Sequence, residues 1–139
     1  MSARRKAREL VLKALYAYET TGGKPQEIIE SILSESELGE RHRRFSADLF
    51  AIVIDNLKRI DSEISSHAQH WDISRVALVD KNIMRIAICE LLYMPDIPVR
   101  VSINEAIEMA KKYSTMESSA FVNGILNAIF KSHKAELGT

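Results

Sequence analysis

The sequence predicts an all-α fold: six or seven helices packed as a single compact domain. Three observations predict it. The 139 residues include only five glycines and three prolines, too few breakers for a turn-rich β fold. Apolar residues recur at spacings of three and four through nearly the whole chain, with no convincing strand pattern. Apolar residues make up 46% and charged residues 27%, the balance of a globular chain long enough to bury its own core. No internal repeat, low-complexity tract or linker divides the sequence.

The elements follow in order. Over residues 3–20, Ala7, Leu10, Val11, Ala14, Leu15 and Tyr18 form a buried stripe on one side of a helix. Leu12 and Tyr16 point nearly opposite and share that outward face with Arg5, Arg8 and Glu9. Such a helix has two surfaces to satisfy, and the second reads as a binding surface. Gly22-Gly23 ends this helix, and Pro25 fits the first turn of the next. The second helix carries Ile28, Ile29, Ile32 and Leu33 and fades at Gly39. The third covers residues 41–57, with Phe45, Leu49, Ile52, Val53 and Leu57 inward. A continuation or a separate helix carries Ile60, Ile64, Ala68 and Trp71, with Asp61 as candidate cap. Residues 79–93 are apolar almost all round, with Ile83, Ile86, Ala87 and Leu91 on one side and Met84 and Ile88 on another. That is the pattern of the central helix of a bundle. Pro95 and Pro98 end it. Ser102-Ile103-Asn104-Glu105 reads as a capping box, with Val101 and Ala106 at the staple positions. Ile103, Ala106, Ile107 and Ala110 then form a core stripe. The last helix starts near Ser118 and buries Val122, Ile125, Leu126 and Ile129.

The net charge is zero, so the whole molecule does not advertise a polyanion partner. Its distribution is uneven. Arg4, Arg5, Lys6, Arg8 and Lys13 face Glu9 alone. Glu27, Glu30, Glu35, Glu37 and Glu40 occupy a stretch without Lys or Arg, and Arg41-His42-Arg43-Arg44 follows. A basic end on a neutral body fits either a local nucleic-acid site or solvated helix ends. Cys89 is the single cysteine, so no internal disulfide forms and a reducing cytoplasm is expected. No signal peptide is visible, and no apolar run approaches the ~20 residues of a membrane span.

No reaction is legible. There is no glycine-rich phosphate loop and no G-x-S-x-G elbow. His67 and His70 are three apart but lack the companions of a zinc site. Glu90 falls in the middle of the apolar central helix. It reads as an acid of raised pKa or, the favoured reading, as a carboxylate bonded to backbone amides or an arginine. Gly124 costs about 1 kcal/mol relative to alanine in a helix; it permits close packing or leaves room for a ligand beside Phe121. Phe121 sits at the edge of its helix's stripe, either as core or as a platform for a base. Asp80 is a helix cap or an exposed carboxylate that receives a partner's arginine.

Three segments, RRKARELVLKALY, VDKNIMRIAICELLY and VSINEAIEMAKKYSTMESSAFVNGIL, in that order, resemble the NusB family of bacterial transcription antitermination factors. The resemblance covers nearly the whole chain; INEAIEMAKKY and FVNGIL, after a central R-I-A-x-x-E-L-L-Y, are its most specific pieces. It implies an all-α domain of two helical bundles spanning residues 1–139, RNA-binding, cytoplasmic, without enzymatic activity or cofactor. It implies pairing with a ribosomal small-subunit protein, binding of a single-stranded boxA element in rRNA leader transcripts, and assembly with RNA polymerase and other Nus factors. Carried over by position, Arg4, Arg5, Lys6 and Arg8 would face RNA phosphates and Phe121 a base. Tyr16 and Asp80 would meet the ribosomal protein, with Leu12 on the same face. Many relatives carry a basic residue where Ala120 stands, so that phosphate contact is either missing here or supplied by Lys112. Residues 22–44 resemble the family only loosely. Two alternatives remain. One is a NusB-like accessory domain like that of rRNA cytosine methyltransferases; the other is a homodimer closed by the Leu12/Tyr16 face in the absence of RNA.

Overall fold

The computed structural model describes residues 2–68 and 76–134. Among them are seven helices and no strand: α1 (Ala3–Thr21), α2 (Pro25–Ser34), α3 (Glu40–Asp55), α4 (Leu57–His67), α5 (Leu78–Tyr93), α6 (Val99–Tyr113) and α7 (Met116–Ser132). Trp71 and His70 lie outside the described residues.

Local chemistry sets the boundaries. Ser2 Oγ accepts the Arg5 amide at 3.1 Å and starts α1. Gly22, at φ 67°, ends it in the left-handed conformation that favours glycine. The second helix stops at Ser34, well before Gly39. The carbonyl of Leu33 accepts from the Ser36 amide, from Ser36 Oγ and from Arg43 Nη2, which closes that end. Asn56 separates α3 from α4; its Nδ2 donates to the Ile52 carbonyl at 2.8 Å. Asp61 therefore sits inside α4 and caps nothing. Thr115 Oγ1 accepts the Ser118 amide at 3.0 Å, so α7 begins two residues before Ser118.

The capping box is overturned. Helix α6 begins at Val99, so Ser102 and Glu105 lie within it. Ser102 Oγ donates to Glu90 at 2.6 Å instead, and Glu105 accepts from Arg5. Pro98, with φ already fixed near a helical value, starts the helix earlier than the hydroxyl would.

Helices α1, α2 and α3 pack together on one side, and α4, α6 and α7 on the other. Helix α5 runs between the two groups and touches α1, α3, α4, α6 and α7. Every residue from Asn82 to Leu91 is buried, which is why this helix had to be apolar on nearly all sides. Each fully enclosed side chain such as Met84, Ile86 or Ile88 contributes about 1.5–3 kcal/mol of transfer free energy. Cys89 is wholly enclosed, and burial pushes its thiol up to about 12. No helix among the described residues is long and apolar enough to cross a membrane.

Candidate functional site

The first helix does not divide into a core face and a free face. It packs against α2, α3 and α5, on more than one side. Arg8, Glu9 and Leu12, expected to face outward, are therefore buried; only 2% of Arg8 is exposed. Tyr16 does project, with 55% of its surface exposed, although Leu15, Tyr18 and Glu19 around it still pack on or bond to the rest of the fold.

Arg8 is enclosed because it has an acid to meet. Its Nε and Nη2 donate to the two carboxylate oxygens of Glu90 at 2.7 and 3.0 Å. Ser102 Oγ donates to the same carboxylate. The favoured reading of Glu90 thus holds: it is bonded to an arginine, and the pair pins α1 to α5 and α6. A phosphate-facing role for Arg8 is corrected by this geometry. An enclosed guanidinium whose fork is already filled has no face to offer RNA.

Arg5 is one turn closer to the amino terminus and differs in kind. Its Nε and Nη2 donate to Glu105 at 3.1 and 2.6 Å, but 37% of its side chain is exposed. Hydrogen bonding and charge from Arg5 hold the Glu105 carboxyl below its ordinary value of 4.5. A depressed carboxyl stabilises the fold above its unfolded value and loses that contribution as pH falls through the folded one. Urea midpoints measured from pH 7 down to pH 3 should therefore drop for the wild type. The drop should be shallower for Glu105→Gln; parallel curves would refute the linkage.

The remaining cations differ in setting. Arg4 lies over the Phe45 ring at 4.0 Å; burial and the nearby Arg8 and Arg41 lower its pKa. Lys6 is exposed. Lys112, on α6, reaches back to Glu9 of α1 at 2.8 Å while its side chain stays 46% exposed. Arg5 and Lys112 are thus each tied to an acid across α1 and α6, Lys6 lines the groove next to Glu9, and Arg4 lies on the Phe45 side with Asp48 and Tyr93. Phe121 is partly buried and packs against the core. Gly124 is exposed, and a Cβ there would meet nothing within 4 Å, so close helix packing is not its reason.

A groove of about 440 Å³ runs alongside, walled by Lys6, Lys13 and Tyr16 of α1 and by Tyr113 of α6, with Leu12, Val79 and Asn82 also lining it. Leu12 is thus floor rather than projecting contact. The α5 residues that reach this groove are Val79 and Asn82. Asp80 is not among them; contrary to the exposed carboxylate expected, it is buried, and its Oδ1 has no hydrogen-bond partner among the described residues. Lys13 was counted in the basic end but not as a site residue, and Tyr113 and Asn82 were not singled out from sequence. Asn82 carried the one available signal, an amide inside an apolar helix.

Fold and site together define a class: all-helical domains in which two bundles share one central helix beside a tyrosine-walled groove. The chain belongs to the NusB family, whose family model matches residues 5–131. It is 46% identical over 136 residues to the transcription antitermination protein NusB of Trichlorobacter lovleyi, covering 98% of this chain and 96% of that one. To the protein of that name from Chloroherpeton thalassium it is 45% identical over 135 residues, 96% of this chain but 64% of the relative's length. Among solved structures, NusB of T. maritima superposes with a TM-score of 0.87 at 40% identity, covering 94% of this chain and 92% of that one. The NusB of a complex of antitermination factors NusB and NusE with dsRNA superposes at 0.86 with 26% identity, over 95% and 98%.

Proposed function

We propose that the chain is a non-enzymatic transcription antitermination factor. It pairs with a ribosomal small-subunit protein, the counterpart of NusE, and the pair binds a boxA-type single-stranded element in rRNA leader transcripts. The bound complex joins RNA polymerase and other Nus factors. Family membership supports the class of function. The observation that supports the RNA reading is that Arg5, Lys6 and Lys112 keep solvent-exposed cationic side chains on α1 and α6 while Arg8 is enclosed.

The division of labour follows from burial. Arg5, Lys6, Lys112 and Arg4 neutralise phosphates, and Phe121 contacts a base. Tyr16, with Leu12 beneath it, serves the partner protein. Arg8 holds the helix that carries them. The Arg5 end of the Arg5–Glu105 pair is open to solvent, which holds the pair's net worth to about 1 kcal/mol, so a phosphate can replace the carboxylate at small cost. Roughly four cations set a salt slope of about −3 in log–log form for single strands. That is modest for a protein of zero net charge, so the partner must enlarge the surface.

The test is fluorescence anisotropy with a boxA-type RNA, with and without the ribosomal protein, together with calorimetry of the protein pair. RNA affinity should rise at least about tenfold with the partner. Tyr16→Ala should weaken the pairing by about tenfold, the loss expected for an exposed aromatic anchor. An unaltered pairing constant would remove Tyr16 from the interface, and RNA binding indifferent to the partner would overturn the shared-surface mechanism.

A further inference from the structure

The groove beside Tyr16 holds a feature that the family resemblance does not assign. Asn82 is wholly enclosed at its floor. Its Oδ1 accepts from Arg85 Nη1 at 2.9 Å. Its Nδ2 has no hydrogen-bond partner among the described residues. An enclosed amide donor left unpaired is costly, and few native side chains accept that cost.

Arg85 fixes which way this amide faces. Its Nε and Nη2 each donate to one oxygen of Asp61 at 2.7 Å, and Nη1 also pairs with Glu19. A guanidinium held on α1 and α4 at once cannot rotate to follow Asn82. The amide must keep its oxygen toward Arg85, since turning it would set one donor against another. The donor is therefore committed to the other side of the side chain.

The walls say what chemistry would answer it. Lys13 stands exposed on the groove and forms no ion pair among the described residues. The acid on that wall, Glu9, is matched by Lys112. Leu10, Leu12 and Val79 supply apolar surface. We propose that Asn82 is a specificity-determining residue for protein docking: its Nδ2 donates to an oxygen of an acidic, apolar segment of the partner seated in this groove. This rests on the reading that Tyr16 faces a protein partner. Docking opens the rim, where no side-chain hydrogen bond ties Tyr16 or Lys13 in place among the described residues.

RNA is the competing occupant, and the test separates it. Asn82→Asp keeps an oxygen for Arg85 and turns the donor into an acceptor; Asn82→Ala simply removes it. The probe is the recombinant ribosomal small-subunit protein from the same organism, titrated calorimetrically into wild type, Asn82→Asp, Asn82→Ala and Tyr16→Ala. Asn82→Asp should weaken pairing by about tenfold or more and Asn82→Ala by about fivefold, as for a buried acceptor left unpaired. RNA binding by the chain alone should not change. If Tyr16→Ala loses pairing while both Asn82 variants pair like wild type, this proposal fails and the docking reading stands. If Tyr16→Ala also pairs normally, the docking reading fails and takes the proposal with it. If Asn82→Asp lowers RNA affinity instead, the groove belongs to RNA and the proposal is overturned. Should the aspartate variant fail to fold, the alanine variant decides.

Discussion

Replacing Arg8 with alanine is expected to destabilise the fold by about 3–5 kcal/mol, because it strands the Glu90 carboxylate in the core without its counter-charge. For a chain of this size that lowers the thermal midpoint by about 10 °C or more. Thermal denaturation followed by circular dichroism reads it directly. The cause is specific: Glu90 is 1% exposed and, among the described residues, keeps only Ser102 Oγ once the guanidinium is gone. A companion variant isolates that cause. Arg8→Met with Glu90→Leu removes both charges and fills similar volume, and it should recover most of the loss, since buried pairs replaced by apolar groups are often neutral or better. If Arg8→Ala unfolds at the wild-type temperature, the enclosed pair is not what holds α1 in place. Any fall in RNA affinity in Arg8→Ala is then to be read as loss of the platform, not of a phosphate-binding group.

Arg5 should behave in the opposite way. Arg5→Ala combined with Lys6→Ala is expected to leave the thermal midpoint within a few degrees, since exposed ion pairs contribute about 0–1 kcal/mol. RNA affinity should fall, and the slope of log affinity against log salt should flatten by about 1.4, at roughly 0.7 for each single-strand phosphate no longer neutralised. Glu105→Gln supplies the reverse perturbation. It removes the carboxylate that competes with phosphate for Arg5, so RNA affinity should rise, with a measurable but modest loss of stability. Salt titrations of wild type and these variants decide the matter. A salt slope unmoved by the removal of Arg5 and Lys6 would take the RNA path away from the start of α1.

The two arginines are three residues apart and look alike in the sequence. Helical spacing placed both on the outward side of α1, together with Glu9 and Leu12. That projection assumed one neighbour, whereas α1 has α2, α3 and α5 around it. Glu90 was readable as a buried carboxylate in need of a partner, but nothing in its own neighbourhood named one. The partner lies 82 residues earlier. Ser102 and Glu105 misled for a related reason. Their spacing matches a capping box, yet Pro98 had already started the helix, and both side chains were taken by α5 and α1. Tyr16 was legible because it points away from the stripe that α1 buries, and the central helix was legible because burial on all sides demands apolar residues on all sides.

Sequence alone determined the helical class, the central place of residues 79–93, the break at Gly22 and the need of Glu90 for company. Those follow from period, breaker residues and the cost of an enclosed charge, all of which act over a few residues. Only the tertiary structure decided which cation is anchor and which is free, that Asp80 is enclosed, and that Asn82 holds an unanswered donor beneath Tyr16. These depend on what a distant helix places opposite each side chain, and pairing between helices far apart in the chain leaves no periodic trace in it.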